Sequence, residues 1–169
     1  MKRIAKFEKV SFEQFKKDWT DTFEVSDEVQ IREIYDRIKL PARATAGSAG
    51  YDFFTPLSFD LKPGNSLKIP TGIRVKIEEG WLLSIFPRSG LGFKFRMQLD
   101  NTVGIIDSDY YDASNEGHIM IKFTNDSNTS KTISLEEGNA FAQGIFTEFG
   151  ITEDDEADAK RTGGFGSTG

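Results

Sequence analysis

The chain contains no cysteine, and only one histidine, in 169 residues. The first absence excludes disulfides, thiolate nucleophiles and thiolate metal sites. The second leaves His118 as the only imidazole. It stands where a strand is expected to start, a place that favours a structural or surface role over a catalytic one. Acid–base work therefore falls to carboxylates. Long apolar runs are missing as well. Met1-Lys2-Arg3 opens the chain, yet nothing of signal-peptide or membrane-span length follows, so the default expectation is a soluble cytoplasmic protein with no membrane partner. Positive charge is also short: 21 Lys and Arg against 27 Asp and Glu leave a formal charge of −6, which argues against a broad footprint for DNA or RNA. A small anionic ligand is not excluded, because a local cation cluster or a bound metal overcomes so modest a field.

What is present changes period along the chain. Residues 3–10, RIAKFEKV, alternate as a first strand would, with Ile4, Phe7 and Val10 as candidates for burial. Ser11 and Gln14 then have capping-box spacing, and Phe12, Phe15, Trp19 and Phe23 recur at helical intervals on one face. The spacing predicts a second helix, capped by Ser26, with Asp27 and Glu28 in its first turn. Ile31, Ile34, Tyr35 and Ile38 form its apolar face, and Pro41 ends it. This helical stretch, about residues 11–38, suits a lid, a surface for a protein partner, or a packed ornament.

From Ala44 to about Phe149 the pattern is β. Runs such as SLKIPTGIRVKI, GWLLSIFP, GHIMIKFTN and NAFAQGIFTEF are separated by turn signals at Pro63-Gly64, Glu79-Gly80, Asn125-Asp126 and Glu137-Gly138. Fifteen phenylalanines supply most of the bulky core candidates. The expectation is one mainly β domain, a sandwich or barrel, over residues 1–150. Residues 151–169 add an acidic linker, EDDEADAK, and a glycine-rich arm.

Five short segments carry side chains fit for chemistry. AGSAGYDFF at 46–54 places Asp52 at the start of a strand. PRSGLG at 87–92 offers the Arg88 guanidinium, the Ser89 hydroxyl and, around Gly90, backbone N–H groups able to converge on phosphate oxygens. No Gly-Lys-Ser/Thr follows, so it is not a Walker loop. In DNTVGIIDSDYYD at 100–112, Asp107 and Asp109 are two apart, so an extended backbone puts both carboxylates on one side, anchored by Ile105 and Ile106. One buried carboxylate there can orient and deprotonate water; the alternative is an acidic turn without chemistry. GNAFAQGIF at 138–146 sets the amide of Gln143 in an apolar run, where it either ties strands together or meets a ligand. The closing RTGGFGSTG, with four glycines in nine residues, is too entropically costly to order alone. It is either an idle terminus or, through Arg161, Phe165, Ser167 and Thr168, a grip for a phosphorylated aromatic ligand.

In their order AGSAGYDFF, PRSGLG, NTVGIIDSDY, GNAFAQGIF and RTGGFGSTG resemble the five motifs of trimeric dUTP diphosphatases (dUTPases), from about Leu40 to Gly169. The resemblance implies a dUTPase-like β-barrel or jelly roll with an inserted N-terminal helical segment and a mobile C-terminal arm. It implies hydrolysis of dUTP to dUMP and pyrophosphate, with Asp107 as the general base for in-line attack of water on the α-phosphorus. Mg2+ is implied on the triphosphate and its water rather than on protein ligands, as suits a hard ion. By the same resemblance Arg88, Ser89 and Gly90 hold phosphates, while Asn101 and the backbone of Gly104, Ile105 and Ile106 read uracil in a hairpin pocket. Met120 lines that pocket, and Tyr110 lies under the deoxyribose, leaving no room for a ribose 2′-hydroxyl. Asp52 and Gln143 organise water and phosphate contacts, with Asp109 in support. In the arm, Phe165 stacks on uracil, Arg161, Ser167 and Thr168 grip the γ-phosphate, and Gly166 adds a substrate contact. Members of the family are homotrimers whose sites take the first, second and fourth motifs from one subunit, the third from another and the arm from the last.

Three features depart from the family pattern. The third motif usually continues Asp-Tyr-Arg-Gly; here Tyr111, Asp112 and Ala-Ser-Asn-Glu precede Gly117, which reads as a longer hairpin beyond Tyr110. The fourth commonly carries Gly-Asp-Arg; here Asn139 and Ala140 remove a charged pair that would brace the turn or a subunit contact. The helices of about residues 11–38 have no counterpart in typical members. The rival readings are a dCTP deaminase of the same fold and a nucleotide-switched trimeric interaction protein. The arrangement of DNTVGIIDSDY and the closing arm favour the dUTPase over the deaminase.

Overall fold

A computed structural model of the chain describes residues 1–158 and residue 163. The arm residues Arg161, Phe165, Gly166, Ser167 and Thr168 lie outside the described residues. Strand β1 (Ala5–Lys9) leads into helices α1 (Phe12–Phe23) and α2 (Glu28–Arg37). Strands β2 (Ala42–Arg43), β3 (Tyr51–Phe54), β4 (Phe59–Leu61), β5 (Ser66–Pro70), β6 (Ile73–Ile77) and β7 (Trp81–Pro87) follow. After the short helix α3 (Ser89–Phe95) come β8 (Met97–Leu99), β9 (Gly104–Ile106) and a 3₁₀ turn at Ser108–Asp112. Strands β10 (Met120–Asn125), β11 (Ile133–Leu135) and β12 (Ala140–Glu148) complete the described elements.

The predicted β class holds, in jelly-roll-like form. All described pairings are antiparallel, and they divide into four sheets, β1-β6, β5-β10-β8, β11-β4 and β2-β3-β12-β7-β9, rather than one closed barrel. One cause is visible in the run SLKIPTGIRVKI, which turns a corner at Gly72 with φ 73°. Its first half, β5, pairs with β10; its second, β6, pairs with β1. Turns form at residues 63–64, 79–80 and 137–138 as expected. Asn125 instead ends β10, buried, and its amide donates to the Leu61 and Lys131 carbonyls at 2.8 and 3.0 Å.

Ser11 caps α1, accepting from the Gln14 N–H at 3.2 Å. The predicted box is not reciprocal: the Gln14 amide donates to Asp18 at 2.8 Å, and Glu116 takes the Ser11 backbone N–H at 2.7 Å. Asp27 rather than Ser26 caps α2, because its Oδ1 accepts from both Val29 and Gln30 N–H groups, at 3.0 and 3.2 Å.

Apolar burial is organised around two centres. Phe53, Ile69, Leu83, Ile106, Phe123 and Phe141 belong to the larger core of the β-sheets. Val10, Phe12, Phe15, Trp19, Ile31 and Ile34 form the smaller one, and Ile38 and Leu57 pack against both. The apolar faces of α1 and α2 are thus spent on the chain's own interior. No helix among the described residues is long and apolar enough to cross a membrane.

Candidate active site

The ends of β3, β7 and β12 build one half of the site. β12 lies between β3 and β7, so Gln143 stands opposite Asp52 on one side and Phe86 on the other. Arg88 follows β7 directly, and its Nε lies 3.3 Å from Asp52 Oδ1. The first, second and fourth motifs therefore meet within one protomer. Gly50 permits this approach, because a Cβ there would sit 2.7 Å from Gln143 Oε1.

Arg88 is also the N-cap residue of α3. The N–H groups of Ser89 and Gly90 precede any intrahelical acceptor, and both residues are exposed. They border a cleft of about 620 Å³ that Lys94, Ser134 and Asn139 also line. Two cations, hydroxyls and helix-end N–H groups on one cleft are suited to phosphate oxygens. The altered fourth motif forms part of its wall. Its turn is braced from the inserted helices: Arg37, the last residue of α2, donates to both carboxylate oxygens of Glu137 at 2.7 and 3.3 Å. The Glu137 N–H in turn donates to Ser58 Oγ at 2.9 Å.

The third motif runs antiparallel along β7, with its Gly104 end toward Arg88 and its Asp107 end away from it. Strand β9 pairs with β7 through Gly104 opposite Ile85 and Ile106 opposite Leu83. Asp107 thus continues past Leu83 in one direction, while Arg88 lies beyond Pro87 in the other. The ladder ends with Ile106 opposite Leu83, five residues of chain before Arg88, which is about 17 Å along an extended strand.

Within this half, Asn101 and Gly104 are brought together: a Cβ on Gly104 would lie 3.7 Å from Asn101 Nδ2. Gly104 and Ile106 are buried, whereas Ile105 is 45% exposed. The expected hairpin is not a closed ladder, because β8 pairs with β10 and β9 with β7; residues 100–103 join two sheets. Met120 opens β10 opposite Pro70, in the sheet that holds β8. Asp107 and Asp109 do not share an extended strand. The 3₁₀ turn starts at Ser108, leaving Asp107 extended at φ −80° and ψ 160°, half-buried, and Asp109 exposed within the turn.

The predicted longer hairpin beyond Tyr110 is also absent. The 3₁₀ turn runs into a second turn at residues 114–117, and the segment's polar groups bind the N-terminal stretch. Tyr111 donates its hydroxyl to Glu8 at 2.6 Å, Glu116 accepts from Ser11, and His118 Nδ1 lies 2.5 Å from Asp18 Oδ2. His118 is fully buried and its Nε2 accepts from the Gly72 N–H at 2.8 Å, so Nδ1 carries the proton given to Asp18. Both ring nitrogens are spent on contacts within the fold. Burial raises the Asp18 pKa, but hydrogen bonds from His118 and Gln14 outweigh it and hold the carboxyl below its ordinary value. Sequence reasoning missed Asp18, Glu116 and Glu8 because their partners lie about a hundred residues away.

A jelly-roll-like β fold that gathers Asp52, Gln143 and Arg88 at the ends of three adjacent strands, beside a cleft at the β7–α3 junction, is the dUTPase class of fold. The dUTPase of Streptococcus mutans superposes with a TM-score of 0.61 at 31% identity, covering 87% of this chain and 98% of that one. The dUTPase from phage phi11 of S. aureus shares the fold, with a TM-score of 0.61 at 20% identity over 93% of this chain and 97% of its own. In sequence, the deoxyuridine 5′-triphosphate nucleotidohydrolase of Lactococcus lactis subsp. lactis (strain IL1403) is 39% identical over 135 residues, 78% of this chain and 89% of the relative. That of Actinobacillus succinogenes is 41% identical over 138 residues, 77% of this chain and 87% of the relative. The dUTPase family profile matches residues 36–169, and the chain belongs to that family. The match begins near the end of α2, so β1 and α1 lie outside it.

Proposed function

We propose that the chain hydrolyses dUTP to dUMP and pyrophosphate in active sites shared among three copies of itself. The observation that carries this reading is the separation of Asp107 from Arg88 along β7. A phosphate cradle without its base, and a base without its cradle, complement one another when a second copy sets its Asp107 against the first copy's Arg88. Arg88, Ser89 and Gly90 then hold the triphosphate, Asp52 steadies the guanidinium, and Gln143 orders water and phosphate. Asn101 and the backbone of Gly104, Ile105 and Ile106 read uracil, Met120 lines the base pocket, and Tyr110 floors the deoxyribose. Asp107 accepts the proton of the water that attacks the α-phosphorus, with Asp109 in support. Residues 151–169 act as the arm, whose Arg161, Phe165, Gly166, Ser167 and Thr168 close the site from the remaining copy.

The cradle offers the phosphates cations rather than carboxylates, and among the described residues no three His, Asp or Glu side chains are grouped around a possible metal. Mg2+ fits this donor set only on triphosphate oxygens and water, where it offsets phosphate charge. Pyrophosphate release from dUTP, measured beside dCTP with Mg2+ present, tests the reaction; ammonia release from dCTP would indicate a deaminase instead. Asp107→Asn should cut turnover by at least about 10²-fold while nucleotide still binds. Near-normal turnover would remove Asp107 from the role of base.

A further inference from the structure

Two departures from the family pattern, the N-terminal helices and the segment after Tyr110, are one structural unit. Ser11 and Glu116 are 105 positions apart, Asp18 and His118 are 100, and Glu8 and Tyr111 are 103, yet each pair is hydrogen-bonded. One of these bonds leads onward to a residue of the third motif. The Tyr110 hydroxyl donates to the His118 carbonyl at 2.8 Å and accepts from Asn115 Nδ2 at 2.8 Å. The His118 ring is fixed at both nitrogens, by Asp18 at 2.5 Å and by the Gly72 N–H at 2.8 Å. Asp18 belongs to α1, and its side chain, 15% exposed, is itself held by the Gln14 amide at 2.8 Å.

Anchoring α1 does not by itself require this arrangement. The helix already buries Phe12, Phe15 and Trp19 and is tied at its cap by Glu116. A largely buried carboxylate is a poor way to add stability when an apolar side chain would serve. What a carboxylate adds is direction: it fixes the tautomer and tilt of the His118 ring and so anchors, from the side chain, the residue whose carbonyl accepts the Tyr110 hydroxyl, while the Ile119 N–H holds the same peptide from the other side by donating to the Ile73 carbonyl at 2.9 Å. We propose that Asp18 and His118 are positioning residues for Tyr110, and that α1 thereby sets how strictly the site selects deoxyribose over ribose. This rests on the reading of Tyr110 as the floor of the sugar pocket.

The test compares kcat/KM for dUTP and UTP, with the melting temperature and trimer mass followed in parallel. Asp18→Ala should lower the dUTP:UTP ratio about tenfold, and Asp18→Asn, whose amide oxygen still accepts the Nδ1–H, should restore most of it. Tyr110→Phe cuts the relay at its other end without touching the helix and should lower the ratio comparably. It also serves if Asp18→Ala does not fold. Glu116→Ala loosens α1 elsewhere and should leave the ratio within about twofold of the parent. A parent-like ratio in Asp18→Ala or Tyr110→Phe, or an equal fall in Glu116→Ala, would overturn the inference. Tyr110→Ile separates the two levels. An unchanged ratio there rejects the sugar-floor reading itself, whereas a collapse there beside a parent-like Asp18→Ala rejects the relay alone.

Discussion

The Glu116 carboxylate accepts both the hydroxyl and the backbone N–H of Ser11, at 2.6 and 2.7 Å, so the cap of α1 is completed by a residue 105 positions further along the chain. The Ser11 side chain alone reaches the Gln14 N–H. Glu116→Ala removes the acceptor for the Ser11 N–H and should cost about 1 kcal/mol, the scale of a lost cap. Urea denaturation followed by helical circular dichroism measures it. An unchanged midpoint would mean that the Glu116 contact adds nothing to the cap.

Acid should loosen the same region. Burial opposes ionisation of Asp18 and of Glu116, but hydrogen bonds from His118 and Gln14 in the first case, and from the Ser11 hydroxyl and N–H in the second, hold both below their ordinary values. Groups with a lowered folded pKa contribute stability above their unfolded values, about pH 4, and lose it as pH falls through the lower folded ones. The melting temperature should therefore drop on the acid side, and Asp18→Asn should flatten that slope. A slope as steep as the parent's would show that Asp18 is not one of its sources.

Gly72 joins the two cores. Its φ is 73°, and a Cβ there would collide with Ile38 Cδ1 and stand 3.3 Å from Phe15 Cδ2. Gly72→Ala combines a left-handed backbone penalty of about 1 kcal/mol with overpacking of about 1–3 kcal/mol. Chemical denaturation should register a loss of about 2–4 kcal/mol. A loss below about 1 kcal/mol would mean that the helices shift aside freely.

Local signals were legible in the sequence where their partners are also local. Ser11 reads as a cap because its acceptor serves the Gln14 N–H three residues on. The fate of the Gln14 side chain is not legible, because Asp18 and Glu116 both compete for the box's groups. Ser26 and Asp27 are adjacent capping candidates, and only the carboxylate that reaches two N–H groups distinguishes them. Among the phenylalanines, composition foresees Phe53, Phe123 and Phe141 in the core but not Phe93, which is 93% exposed on α3. The five motifs identify the family through their order, yet the placing of the Asp107 end of the third motif away from Arg88 follows from the pairing of Ile106 with Leu83. No single motif encodes that register. Tyr111 and Glu116 look like loop residues in sequence because the groups they bind lie on β1 and at the cap of α1.

In the proposed function Asp107, which follows the residue opposite Leu83, and Arg88, five residues beyond Leu83 along the chain, serve one substrate from different copies. Asp107→Asn and Arg88→Ala chains, each inactive as a homotrimer, can be co-expressed with different tags and the mixed trimers isolated by sequential capture. Each site in such a trimer needs an intact Asp107 from one copy and an intact Arg88 from another, so every mixed trimer, of either two-to-one composition, holds one complete site in three and should show about a third of the parent's dUTP hydrolysis. Mixed trimers of verified composition that stay as inactive as either variant alone would contradict the shared active site.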